Sequence, residues 1–341
     1  MATSTRRDQR LDSAKGILIS LVVLGHLLEA TSAWNADVIR LPLTIIYMFH
    51  MPAFIFLSGM TAKRDNLSRR IGVFLVLLLT FQGLYYVAVW LSPLERDFSP
   101  FMPFWLLWFL LSMIWWLLLL PLVWRMPRTA VAVSVVIAIS AGAIDEMGYA
   151  FSISRVLVFL PFFITGTVYG RQILDVAGRI PFRVKLCAAV LCLALGWILF
   201  AADIHQGWLY GSYSFDRLDT GTVEGLAVRA GLLAVAGFTT VTVLSLMPRH
   251  QNPVTAIGKR SLGIFLVHGF VVLALTPLLP PGHSGANTAI ALAACVAIAV
   301  VVVKVLGAAP IDRSVRQYGS KVVDLASGLL KRNADRQVAG R

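Results

Sequence analysis

Stretches of about twenty mostly apolar residues, each long enough to cross a bilayer as a helix, recur from one end of this chain to the other. Taken as candidate spans they fall at 15–33, 41–61, 71–90, 103–124, 129–146, 154–170, 184–202, 227–247, 262–279 and 288–307. The fifth window is built mainly from Ala and Val and closes on Asp145 and Glu146. A chain of 341 residues that is 58% hydrophobic and 14% charged has too little polar surface to cover a soluble globule. The expected fold class is therefore an all-α integral membrane protein, a polytopic bundle of about ten transmembrane helices.

The formal charge of +13 would suit nucleic acid if it were spread over one soluble surface. It is instead sorted by loop. With the N-terminus inside, every Lys and Arg except Arg40, Arg96, Arg155, Arg217 and Arg229 falls in an inner loop, at an inner helix end or in a tail. A missed span would reverse all later loops, so the positive-inside rule predicts an even number of spans with both termini cytoplasmic. The partner implied by the charge is membrane lipid, not nucleic acid. The first span begins and ends somewhat like a secretory signal, but its length and its His26 and Glu29 mark it as an uncleaved anchor. The chain has no repeat of domain scale, no low-complexity tract and no extramembrane domain. It divides into a transmembrane domain over 1–310 and a basic tail over 311–341. In the tail, basic residues alternate with Val322, Val323, Leu325, Leu329 and Leu330, as in an interfacial amphipathic helix. Cys187, Cys192 and Cys295 sit in apolar runs without a CxxC pair or a neighbouring His, so they read as packing residues, with neither disulfide nor metal.

Polar residues inside the spans are where function is sought, because an ionisable group at membrane depth costs a few kcal/mol and normally faces a bundle interior or a wet cavity. In LDSAKGILISLVVLGHLLE, residues 11–29, Asp12, Lys15, Ile19, Val22, His26 and Glu29 are separated by steps of three and four. They share one helical seam, on which Lys15 and His26 lie roughly 16 Å apart. The second span, LPLTIIYMFHMPAFIFLSGMT, carries Tyr47, His50, Phe54, Ser58 and Thr61 at the same steps. Running antiparallel to the first, it brings His50 to the depth of His26. Two imidazoles at one level form either a polar pair or a reaction centre.

At this point the motifs LDSAKGILISLVVLGHLLE, FHMPAFIFLSGM, WFLLSMIWW, FLPFFITGTVYGR and GKRSLGIFLVHGF resemble those of the acyltransferase-3 family of bacterial membrane proteins. In style they are nearest to its fucose 4-O-acetylase-like acetyltransferases. The resemblance runs from about residue 10 to about residue 310 in family order. It implies a ten-helix fold in a bacterial cytoplasmic membrane, acetyl-CoA as cytoplasmic donor, and a hydroxyl acceptor, usually on a sugar, at the opposite face. The family's first-helix signature, a basic residue and a histidine with ten residues between, falls on Lys15 and His26. By that resemblance His26 is catalytic and Lys15 its supporting cation. Lys offers a compact charge where Arg would give a bidentate contact, and Arg10 just upstream is a candidate to supply one.

Acyl transfer from a thioester to a hydroxyl needs a base, oxyanion stabilisation and a grip on a polyanionic donor. His26 can act as that base or accept the acyl group itself before passing it on. Glu29, one turn outward, can orient the imidazole or hold the acceptor. Donor contacts are expected from Arg69 and Arg70, then Lys259 and Arg260, although basic inner loops are also what topology alone demands. His268 reads as a packing histidine. On the acceptor side, segment 203–226 combines Trp208, Tyr210, Tyr213 and Phe215 with Asp203, Asp216, Asp219 and Glu224, of which Trp208, Tyr213 and Asp216 are the leading candidates, and Tyr47 joins them from the second span; aromatics there also serve as interfacial anchors. A transporter or flippase for a lipid-linked sugar shares this composition, but the chain lacks the matched, broken halves expected of one.

Overall fold

The computed structural model describes residues 8–32, 34–92, 102–145, 150–248, 250–279 and 286–339. Ala33, Arg96 and Glu146 lie outside them. Among the described residues the chain is helical and contains no strand. The helices are α1 (Gln9–Ser32), α2 (Asp37–Tyr47), α3 (His50–Met60), α4 (Leu67–Trp90), α5 (Trp108–Arg125), α6 (Pro127–Ser140) and α7 (Ile153–Arg179). After them come α8 (Phe182–Ala201), the short α9 (Gln206–Tyr210), α10 (Thr222–Leu246), α11 (Pro253–Lys259), α12 (Ser261–Leu275), α13 (Ala286–Leu306) and α14 (Ala309–Ala339). Nine segments among the described residues are long and apolar enough to cross a membrane. The window at 129–146 corresponds to α6, only 14 residues long before it tightens into a 3-10 turn at Ala141–Ala143.

The second span, expected to be continuous, is broken. Pro52 has no amide to give to the carbonyl of Met48, and its ring crowds that carbonyl, which favours a kink or break at this point. The chain stops at Tyr47, passes through Phe49 at φ −142° and restarts at His50. The His50 ring bonds back to the end of α2, its Nδ1 lying 2.8 Å from the Ile46 carbonyl.

The first helix sits inside the bundle, against α2, α3, α11, α12 and α13. Asp8 starts it, its Oδ1 accepting from the Arg10 amide at 2.9 Å in the manner of an N-cap. Ser13 ties it to α11 through Thr255 Oγ1 at 3.0 Å and Asn252 Nδ2 at 3.2 Å. Close approach between α3 and α7 depends on two glycines. A Cβ at Gly59 would fall on the Phe163 carbonyl, and one at Gly166 on that of Phe56. Small residues do this work in lipid, where helices associate through packing and polar contacts.

The tail helix α14 packs against α4 and α12. Arg69 holds Asp324 through Nε at 3.0 Å and Nη2 at 2.9 Å, which keeps that carboxyl below its ordinary range. Asp312, buried, accepts from the Gly263 amide at 3.1 Å and from Arg316 Nε at 2.6 Å. Cys192 and Cys295 are buried, whereas Cys187 is exposed.

Because neither facing backbone can retreat without opening the core, Gly166→Ala is expected to cost about 1–3 kcal/mol through overpacking. The check is thermal unfolding of the purified variant in detergent, where its Tm should fall below that of the unaltered protein.

Candidate active site

A cavity of about 280 Å³ lies between α1, the α2–α3 break, the turn before α5, α7, α9 and α12. His26, Glu29, Tyr47, His50, Trp105 and Arg155 are among the side chains on its wall. His26 Nδ1 lies 3.2 Å from Glu29 Oε2, one turn further along α1. A carboxylate can only accept, so in the neutral ring Nδ1 holds the proton and Nε2 keeps its lone pair. The other oxygen of Glu29 accepts from the Tyr210 hydroxyl, which itself receives Trp34 Nε1–H at 2.8 Å. The Tyr47 hydroxyl is a further neighbour of the same carboxylate. A polar chain thus runs Trp34, Tyr210, Glu29, His26, through residues of α1, α9 and the turn after α1.

Two rings pack on His26. Trp105 meets it edge to face with centroids 4.6 Å apart, and His268 stacks at 5.5 Å with planes 24° apart. Trp105 adopts φ +41°, a sparsely populated backbone for so large a residue and the kind of strain that collects at functional sites. Gln82 of α4 secures the turn beside it, accepting from the Phe104 amide at 2.8 Å and donating to the Met102 carbonyl at 3.0 Å. His268, wholly buried, points Nδ1 at the Ile264 and Phe265 carbonyls at 3.0 and 2.8 Å. Its Nε2 has no hydrogen-bond partner among the described residues. The reading of His268 as a packing residue fits its backbone contacts but missed its place against His26.

His50 shares the cavity with His26, as the depth argument predicts, but its Nδ1 is committed to the Ile46 carbonyl. Glu29 and Tyr47 join them on the wall. Arg155 of α7 was set aside as an exception to the charge sorting, and it supplies a cation, with its Nε 3.3 Å from the Tyr210 carbonyl and its guanidinium over Trp108. The polar acceptor-side residues separate. Trp208 lines a small adjoining cavity, Tyr213 lies under Arg217 with the guanidinium 3.9 Å from the ring centre, and Asp216 is exposed at the start of a 3-10 turn.

Lys15 stands at the other end of the bundle, as its three turns from His26 require. It lines two cavities there. One, of about 670 Å³, also holds Arg10, Lys63 and Arg171; the other, of about 210 Å³, holds Arg70 and Arg316. Arg10 is buried and donates to the backbone carbonyls of Leu244 at 3.0 Å and Leu174 at 3.1 Å. Arg69 is taken by Asp324. Arg260 Nη1 donates to the Gly307 carbonyl at 2.6 Å, and Lys259 ends α11. Arg316, on the tail helix, was not anticipated at this end. The smaller Lys15 cavity and the His26 cavity share one wall, Phe265. Phe109 packs on Phe265 at 5.4 Å and Phe54 on Phe109 at 5.8 Å, so an aromatic cluster separates the two chambers.

An all-helical membrane bundle around an oriented imidazole, with a basic chamber behind an aromatic partition, suits a transferase better than a scaffold. Residues 8–308 match the acyltransferase-3 model, described as an acyltransferase domain, and the chain belongs to that family. The nodulation protein NolL of Sinorhizobium fredii is similar, 26% identical over 318 residues that cover 83% of this chain and 82% of the relative. NolL of Mesorhizobium japonicum is 47% identical over 60 residues, 17% of this chain and 16% of that one. No solved structure matches. The protein is therefore a multi-pass membrane acyltransferase.

Replacing Tyr210 by Phe removes the hydroxyl that joins Trp34 to Glu29, and a buried donor left unsatisfied costs about 1–3 kcal/mol. The expected result is a lowered Tm in detergent for Tyr210→Phe.

Proposed function

We propose that the protein is an O-acetyltransferase that moves acetyl from acetyl-CoA to a carbohydrate hydroxyl, with His26 as the base. The observation that carries this reading is the His26–Glu29 contact inside the cavity. Glu29 holds Nδ1–H, which leaves Nε2 to take the proton of an incoming hydroxyl while its oxygen attacks the thioester carbonyl. Arg155 and the Tyr47 hydroxyl, on the same wall, are the candidates to stabilise the tetrahedral oxyanion. On collapse the carbon–sulfur bond breaks and the CoA thiolate recovers the proton from Nε2. His50 and His268 shape the pocket from α3 and α12. The alternative, transfer of acetyl onto Nε2 and then to the hydroxyl, uses the same lone pair.

Lys15, Arg70 and Arg316 make the chamber beyond Phe265 cationic, which suits the phosphates of an acyl-CoA. The donor enters from that end, the cytoplasmic one on the positive-inside reading, and its thioester reaches His26 past the Phe54–Phe109–Phe265 cluster. The acceptor approaches from the end that carries Glu29. Arg69, Lys259 and Arg260 line neither the His26 cavity nor the two Lys15 cavities, and act on fold or topology. Residues 1–310 form the catalytic domain, and the tail over 311–341 lies along the membrane surface while lending Arg316 to the donor chamber.

Purified protein in detergent with radiolabelled acetyl-CoA tests the proposal. His26→Ala should lower acyl transfer by about 10²–10⁴-fold, the usual worth of a general base. Glu29→Gln should lower kcat by roughly tenfold or more with little change in KM for the donor, because the ring loses its tautomeric anchor. Transfer that survives His26→Ala unchanged overturns the assignment. Ping-pong kinetics with a trapped acyl-enzyme would select the covalent route.

A further inference from the structure

Arg229 of α10 is the most deeply buried cation in the described part of the bundle outside the His26 site, at 1% exposure. Its Nη1 donates to the Trp208 carbonyl at 3.1 Å and its Nη2 to the Tyr213 carbonyl at 3.5 Å, and the guanidinium lies 4.9 Å from the Trp208 ring centre. Its Nε is buried with no hydrogen-bond partner, and no carboxylate pairs with it among the described residues. A buried charge without a counter-ion is costly, and a guanidinium fork matches a phosphate.

The space around Arg229 links two larger ones. It lines a cavity of about 30 Å³ that shares Tyr47, Phe159 and Leu209 with the His26 cavity. On its other side this cavity shares Phe162 and Leu233 with an apolar cavity of about 370 Å³. Ala230, Leu233, Ala234, Gly237, Thr240 and Val241 form the α10 wall of the apolar cavity. They occupy one helical face that starts beside Arg229 and runs roughly 16 Å along the axis. Sugar-sized space at His26, a guanidinium with no counter-ion and an unbonded Nε, and an apolar groove therefore follow one another in that order.

We propose that this series binds a lipid-linked acceptor: a long hydrocarbon tail in the α10 groove, its phosphate on Arg229, and its sugar in the His26 cavity. A free sugar would leave the groove empty and Arg229 without a counter-ion. A diacyl phospholipid offers the phosphate but no sugar to reach His26. The proposal deepens the acetyltransferase reading and rests on it for the role of His26, but lipid binding can be measured apart from acyl transfer.

The test is thermal unfolding of the purified protein in detergent, titrated separately with a long-chain polyprenyl phosphate, phosphatidylglycerol and inorganic phosphate. Polyprenyl phosphate should raise Tm saturably, with at least tenfold higher affinity than phosphatidylglycerol, and inorganic phosphate should give no shift at the same concentrations. Arg229→Gln should weaken polyprenyl phosphate at least tenfold. Gly237→Leu supplies a second variant should the first fail to fold. A Cβ at Gly237 meets only the Phe162 ring, at 4.0 Å, so the new side chain enters the groove; it too should weaken binding at least tenfold. Equal affinity for phosphatidylglycerol, an equal shift with inorganic phosphate alone, or variants that bind like the unaltered protein would overturn the proposal. Selective binding without His26-dependent CoA release would retain the lipid site and overturn the acetyltransferase reading instead.

Discussion

Glu29 is the group on which the interior of this protein turns. A carboxylate inside a membrane bundle is expensive unless nearly all its lone pairs are used. Here it accepts hydrogen bonds from His26 and Tyr210 and has Tyr47 beside it. These contacts draw α1, the break between α2 and α3, and the short α9 to one point. They also decide which nitrogen of His26 carries the proton in the neutral ring. The requirement that stabilises the polar interior and the requirement that orients the imidazole are met by the same hydrogen bonds.

Much of the fold was legible because helices in lipid must be long, apolar and internally hydrogen-bonded. Window counting found the helices, and the two departures have local causes. The Ala- and Val-rich fifth window yields only the 14-residue α6. The second window splits because Pro52 withholds an amide where Met48 needs one. That proline was visible, but periodicity counts side chains and is blind to a missing donor. The tail was read from its alternation alone, which does not reveal that Asp312 and Asp324 anchor it to α12 and α4.

The site was legible where its residues share a helix and obscure where they meet across the chain. The seam on α1 placed His26 and Glu29 on one face, and helical spacing sufficed to pair them. Trp105, Arg155, Tyr210 and His268 come from four other places, and no spacing rule connects residues so far apart. Arg155 was visible only as an exception to the charge rule, a property it shares with the exposed Arg217, so the exception by itself does not mark the cavity. The basic residues of the inner loops are hard to rank in sequence for a similar reason: Arg69, Arg70 and Arg260 look alike there, yet of the three Arg70 lines the chamber with Lys15.

The aromatic partition at Phe265 has an electrical consequence. With a chamber on each side, the insulating thickness of the protein shrinks locally to about the depth of Phe54, Phe109 and Phe265. In an energised membrane most of the voltage would then fall across those rings, where displacing one elementary charge is worth about 2.3 kcal/mol per 100 mV. On the proposed reaction a neutral acyl group crossing there would feel none of it, and the charged part of the donor would stay on the Lys15 side. Passing only an uncharged fragment would let the bundle carry chemistry from one face to the other without becoming a leak for ions.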